Sequence, residues 1–158
     1  MKFLEKKKIL LIISGGIAAY KSLDLIRSFT KLQCEVKTIL TKGGAEFVTP
    51  LSIASLSKNK VYSDIYSVEN ESEMDHISLS RWADLILIAP ATSNIIAKMS
   101  QGISDDLATT VIQASNKCIF VCPAMNVRMW EHSSNQQNIE KIKSYNYRII
   151  GPFNGEMA

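Results

Sequence analysis

Short, nearly unbroken apolar runs recur along this chain, with helically spaced stretches between them. Ile9 to Ile13, Val36 to Leu40, Leu85 to Ala89, Lys117 to Cys122 and Tyr147 to Ile150 read as five strands. Continuous Ile/Leu/Val runs, rather than alternating ones, mark strands covered on both faces. Between them, Ile17, Tyr20, Leu23, Leu25, Ile26 and Phe29 share the spacing of one helix face, running to Leu32. Ala45 to Leu56 reads as a helix, with Pro50 near its first turns or at a break. Ser93 to Met99 and Asp106 to Ala114 read as two more, and Ser133 to Ser144 as the last. Gln136, three residues after Ser133, suggests a capping box there. Strand–helix alternation predicts an α/β single domain with a doubly wound parallel sheet. The stretch from Ser57 to Ser80 breaks the rhythm. It carries Glu69, Glu71, Glu73 and Asp75 and reads as a long irregular insertion: a lid, a binding loop or a partner contact.

Composition narrows the class. A chain of 158 residues suits one domain, and at that size about 70% of the extended chain's surface is buried on folding. Apolar residues make up 46% and charged residues 21%, ordinary globular values, and the net charge is only +3. Lys6-Lys7-Lys8 is the dense basic run and reads as a solvated strand entry, not a nucleic-acid contact. Three cysteines, an odd number, argue against a disulfide framework and for a reducing cytoplasm. Cys118 and Cys122, on one strand, would stand about 13 Å apart, too far to share an ion. All three read as core or near-core residues. Two histidines without a ligand cluster argue against a metal site. No apolar run approaches the ~20 residues that span a bilayer, and Ile9 to Ile13 is too short for a signal peptide. The expectation is a cytoplasmic protein with no membrane or nucleic-acid partner.

Candidate chemistry sits at the strand ends, where open α/β sheets bind ligands. The first strand ends in Ser14-Gly15-Gly16-Ile17-Ala18-Ala19-Tyr20-Lys21. Two glycines permit a tight turn and close approach, and the helix that follows offers free N–H groups to a phosphate. The same residues also suit a plain strand–helix turn. Thr41-Lys42-Gly43-Gly44 ends the second strand, where Thr41 could bind the same phosphate or cap a helix. No acidic residue closes that strand to hold an adenosine ribose. This favours a mononucleotide such as FMN over NAD. Ala89-Pro90-Ala91-Thr92-Ser93-Asn94 leaves room for a flat ring, with Thr92 and Asn94 near its polar edge or serving as helix caps. Gly102 to Leu107 is a further loop and cap. Pro123-Ala124-Met125-Asn126 follows the fourth strand, whose ladder the proline ends. His76, after the acidic insertion, is structural or an acid–base group; an imidazole changes charge near neutral pH. His132 reads as structural.

Together these motifs resemble the homo-oligomeric flavin-containing cysteine decarboxylases, over nearly the whole chain. The resemblance implies a flavodoxin-like (Rossmann-like) fold, FMN as cofactor, and a homotrimer or a dodecamer of trimers with active sites between subunits. It assigns Ser14, Gly15, Gly16, Ile17 and Thr41 to the FMN phosphate. Pro90, Ala91, Thr92 and Asn94 fall to the flavin ring, and Asp105 and Leu107 to its edge. It makes His76 the catalytic histidine. Asn126 would hold the substrate carboxylate, with Met125 and Ala124 beside it. The implied substrate is 4′-phosphopantothenoylcysteine, on the way to 4′-phosphopantetheine in coenzyme A biosynthesis. Thiol oxidation to a thioaldehyde provides a sink for the electron pair left behind when CO₂ departs.

The family ends this reaction with a cysteine in an Ala-Cys-Gly clamp. Gly155-Glu156-Met157-Ala158 stops where that cysteine would follow, and Cys34, Cys118 and Cys122 do not match it. The expectation is a decarboxylase domain over residues 1–158, cut short at its clamp, with the final reduction impaired. Three other readings share parts of the pattern: a peptidyl-cysteine decarboxylase, a flavin prenyltransferase, and a non-catalytic regulator binding through the acidic insertion.

Overall fold

The run Lys8–Ile13 forms β1, the centre of the sheet, and Ile9 to Ile13 are wholly buried. The computed structural model describes residues 2–63 and 76–153. β1 pairs in parallel with β2 (Glu35–Leu40) on one side and β4 (Leu85–Ala91) on the other. β5 (Cys118–Pro123) follows β4, and β6 (Arg148–Ile149) closes that edge. A two-residue strand, β3 (Val61–Tyr62), lies outside β2. The order is β3-β2-β1-β4-β5-β6. Without the short edge strand it is the flavodoxin-like order, and the strand order reverses between β1 and β4. That reversal opens a crevice at the carboxyl ends, the place for a ligand.

The two-residue period of β1 sends its side chains to two layers. Ile9, Leu11 and Ile13 pack with Ile26 and Phe29 of α1 (Lys21–Lys31) and Ile53 of α3 (Pro50–Ser57). Leu10 and Ile12 pack on the other face with Leu79 of α4 (His76–Trp82) and Ile95 and Ile96 of α5 (Ser93–Gln101). Val111 of α6 (Leu107–Ala114) and Ile139 of α8 (Ser133–Ser144) complete that layer. Burying one such side chain stabilises the fold by about 1.5–3 kcal/mol, so β1 holds both layers. Among the described residues, no helix is long and apolar enough to cross a membrane.

Several expectations are corrected. Residues 57–80 are not irregular throughout, since they include β3 and α4; Glu69, Glu71, Glu73 and Asp75 lie outside the described residues, as do Gly155 to Ala158. The helix expected over 45–56 is two, α2 (Lys42–Ala45) and α3, with Pro50 in the first turn of α3 and Thr49 capping it. Proline is tolerated there because that N–H has no intrahelical partner. Ser133 opens α8, but the cap is His132, whose ring nitrogen accepts from the Ser134 N–H; Gln136 instead donates to the Trp130 carbonyl at 2.6 Å. The capping box forms on α6, between Asp106 and Thr109. β5 is not covered on both faces: Cys118 is exposed, and Phe120 and Cys122 are half-buried. Phe120 and Cys122 pack against the margin of the α1/α3 layer and are only partly covered by it.

Candidate active site

Four loops meet at the carboxyl ends of β1, β2, β4 and β5. Ser14, 3% exposed, ties two of them. Its hydroxyl donates to the Pro90 carbonyl at 2.6 Å and accepts from the Thr92 N–H at 3.1 Å. The side chain joins the loops and has little left for a ligand. Ser22 adds a second tie, its hydroxyl donating to the Ala89 carbonyl at 2.8 Å. The Thr41 N–H donates to the Ile13 carbonyl at 3.1 Å, and the Ala124 N–H to the Ala91 carbonyl at 3.0 Å. Residues 14–17, 41–44, 90–94 and 124–126 therefore form one continuous rim.

The rim's first half is a backbone cradle. A Cβ on Gly15 would stand 3.3 Å from the Gly43 carbonyl carbon and oxygen, a tight contact that the facing backbone would have to yield to, so the loops approach closely at Gly15. Gly16 has φ of 100°, a left-handed value that favours glycine, and a Cβ there would meet nothing nearer than 4.0 Å. It caps the 3₁₀ turn Ile17–Tyr20, while Thr41 caps α2 by accepting from the Gly44 N–H at 3.1 Å. The first N–H groups of these two turns have no intrahelical acceptors. They lie beside the Gly15–Gly43 contact. The donor set suits a phosphate, and an added Cβ would fill the space.

The second half carries side chains. Thr92 caps α5, accepting from the Ile95 N–H at 3.3 Å, and Asn94 is exposed one position into the helix. Pro90 and Ala91 are buried at the end of β4, so they line the rim through small atoms. Asn126 caps α7 (Val127–Glu131): its Oδ1 accepts from the Met129 N–H at 2.9 Å. Its amide NH₂ has no partner among the described residues. Met125 and Trp130 are each half-buried against the core. The Trp130 carbonyl accepts from Asn135 and Gln136, which seats α7 on α8.

Asp105 and Leu107 belong to the α5–α6 turn. Leu107 is 4% exposed and points into the core. Asp105 is reached by Lys98, one helical turn beyond Asn94. The Lys98 ammonium stands 2.7 Å from Asp105 Oδ1 and 3.3 Å from Asp106 Oδ2. Hydrogen bonding to Asp105 holds the Lys98 pKa above its ordinary value despite partial burial. Burial works against the charge on Asp106, but the Thr109 N–H and hydroxyl and the Lys98 ammonium outweigh it, so its pKa lies below the ordinary value. His76 is half-buried at the start of α4, with no hydrogen bond to the rim among the described residues. Sequence reading did not single out Ser22, the Gly15–Gly43 contact or the Asp106 capping box. The first two are contacts between distant segments, invisible to spacing. The third was open to view as Asp followed by Thr three residues on.

A doubly wound sheet with a glycine cradle and a polar rim at its switch point defines a mononucleotide-binding α/β protein. A family model described as Flavoprotein matches residues 2–158, and the chain belongs to that family. It is 42% identical over 154 residues to "Coenzyme A biosynthesis bifunctional protein CoaBC" of Borreliella burgdorferi, covering 98% of this chain and 39% of that protein. It is 40% identical to "Probable phosphopantothenoylcysteine decarboxylase" of Streptococcus mutans, covering 96% of this chain and 86% of that one. A solved PPC decarboxylase, the C175S mutant with pantothenoylaminoethenethiol, superposes with a TM-score of 0.83 at 32% identity, covering 98% of this chain and 86% of the other. The chain thus spans about 39% of the length of the bifunctional relatives it matches.

Proposed function

We propose that residues 1–158 form an FMN-binding decarboxylase unit acting on 4′-phosphopantothenoylcysteine in coenzyme A synthesis. The observation that carries the reading is the joined rim: a glycine cradle at one end and, at the other, the Asn126 amide with no partner among the described residues. Similarity to named decarboxylases over nearly the whole chain supports the reaction class.

The residues present fit FMN. Gly15, Gly16, Ile17 and the α2 turn capped by Thr41 would hold its phosphate through N–H groups. Pro90, Ala91, Thr92 and Asn94 would border its ring. Bound FMN supplies the electron sink that a cysteine carboxylate lacks. The chain's own part is binding and orientation. The Asn126 NH₂ can donate to a substrate carboxylate and fix it without neutralising its charge, so loss of CO₂ stays favourable. Met125 and Trp130 give the neighbouring wall an apolar surface that limits water. His76 would carry protons to and from the substrate's thiol end.

The same reading includes a symmetric homo-oligomer, a trimer or a dodecamer of trimers, in the cytoplasm. The half-open face of β5 supports it, with Phe120 and Cys122 partly exposed and Arg148 5.7 Å over the Phe120 ring. Exposed Ile17, Val127 and Met129 beside the rim also support it. A partner copy would cover these apolar groups and close the site.

The test supplies FMN-loaded protein with 4′-phosphopantothenoylcysteine and, separately, with a cysteine-ended peptide, and measures CO₂. Release from the small substrate alone, lost in His76→Asn, is the expected result. Release only from the peptide would reassign the substrate. Release from neither would end the reading.

A further inference from the structure

The parallel ladder between β1 and β4 ends at the pair Ile12–Ile88. Beyond it the two strands part at the switch point, and two buried serines bridge the opening. The Ser22 hydroxyl, on α1, donates to the Ala89 carbonyl at 2.8 Å. The Ser14 hydroxyl donates to the next carbonyl, Pro90, at 2.6 Å, and the Ser14 N–H reaches the same oxygen at 3.3 Å. Ser14 also accepts from the Thr92 N–H at 3.1 Å. Residues 89, 90 and 92 are thus all held from the β1–α1 segment. A serine hydroxyl has one proton to give. Ser14 gives it to Pro90, so it has none for a phosphate, which takes only donors. Any effect of Ser14 on a ligand therefore passes through the loop it holds. That loop borders the cradle directly: a Cβ on Gly16 would find Thr92 Cγ2, at 4.0 Å, as its nearest neighbour.

We infer that Ser14 is a positioning residue for the flavin ring, not a ligand of its phosphate, and that Ser22 acts with it. The pair sets the width of the β1/β4 opening and fixes Pro90 to Thr92 before the flavin arrives. The inference rests on the FMN reading proposed above and assigns both serines to the ring side of that site. Two physical points give it direction. A loop already ordered costs its ligand less to bind than one that must be ordered on arrival. An exposed tie would exchange its partner for water at little cost, whereas Ser14 and Ser22 are 3% and 2% exposed, so breaking either tie leaves buried groups short of a partner.

The experiment compares FMN with riboflavin, which has the same ring and no phosphate, on the full chain, with affinities measured by flavin fluorescence. Ser14→Ala should weaken both by the same factor, roughly three- to tenfold, the loss expected of one hydrogen bond. Ser22→Ala changes a residue of α1 outside the rim and should also weaken both equally. The double variant should lose less than the product of the two factors, because both serines hold one loop. FMN-saturated Ser14→Ala should show an altered visible circular dichroism of the flavin, which reports the ring's surroundings. If Ser14→Ala does not fold, Ser22→Ala carries the same comparison, and if riboflavin binds too weakly to titrate, the circular dichroism decides. Weaker FMN binding with riboflavin affinity and circular dichroism unchanged would make Ser14 a phosphate ligand and overturn the inference. A lower melting temperature with both affinities and the circular dichroism unmoved would make the serines merely structural and overturn it as well. Folded wild type that binds neither flavin overturns the parent reading and this inference with it.

Discussion

A methyl group added at Gly44 would stand 2.6 Å from the Ile13 carbonyl oxygen and 2.8 Å from Leu40 Cδ1. The first neighbour is backbone of the central strand and cannot step aside. Gly44→Ala should therefore cost about 1–3 kcal/mol, the usual range for overpacking, read as a lower denaturation midpoint with an unchanged slope. Asn126 offers a cleaner separation of roles. Asp caps a helix as well as Asn does, so Asn126→Asp should leave stability within about 0.5 kcal/mol. It would place a negative charge where the substrate carboxylate is proposed to sit. Like charges in contact cost several kcal/mol, so kcat/KM should fall about a hundredfold or more. If activity survives, Asn126 is a cap and nothing else. At this scale much was legible. The glycine loops and the Asn126 turn stood out by residue type and place at the strand ends, and the structure joins them in one rim. That Ser14 joins two loops was not legible, because its partners Pro90 and Thr92 come from a distant strand end.

The elements explain where pattern reading works. The principal strands were legible because each is a continuous apolar run, long enough to need cover on two faces. β3 has two residues and α7 five, too short to show any period. α4 was hidden because its buried face is narrow: of its seven residues, Leu79 and Ser80 are buried. β5 looked doubly buried in composition, yet Cys118, Phe120 and Cys122 leave one face only partly covered, a fact about the other elements rather than about its own residues. The α6 start permits a prediction with a definite sign. Asp106 has its pKa depressed in the folded state. Its contribution is thus present above the unfolded carboxylate's pKa and is lost as pH falls through the folded value. Asp106→Asn keeps a cap but cannot titrate. The stability gap between wild type and Asp106→Asn should be widest near neutral pH and narrow by about pH 3. Urea midpoints at the two pH values measure it, and a constant gap would contradict the assignment.

At the scale of the whole molecule, the sheet's two ends differ. The carboxyl end gathers the cradle, the rim and a scatter of exposed apolar side chains. At the amino end Lys8 starts β1, with the Asp84 carboxylate accepting its N–H at 2.8 Å, and Lys37 lies 4.6 Å from the Trp82 ring centre. The cradle and these exposed apolar side chains at one end suit the proposed active site completed by another copy. Light scattering should then give a mass that is a multiple of three chains. Cys122 adds a local probe. Burial raises its thiol pKa, and as the lone chain it is half-buried on the open face of β5. Assembly over that face should slow its reaction with maleimide, and dilution to monomer should speed it; a Cys122 rate that does not change with protein concentration would place the interface elsewhere. The fold class was legible from alternation alone.

The central claim is that a singly phosphorylated flavin sits at the β1/β4 switch point. An absorption spectrum of the purified, folded protein tests it most directly. The account predicts yellow protein with oxidised-flavin bands, and release of FMN on denaturation. Colourless folded protein that takes up no FMN when it is added in excess would contradict it.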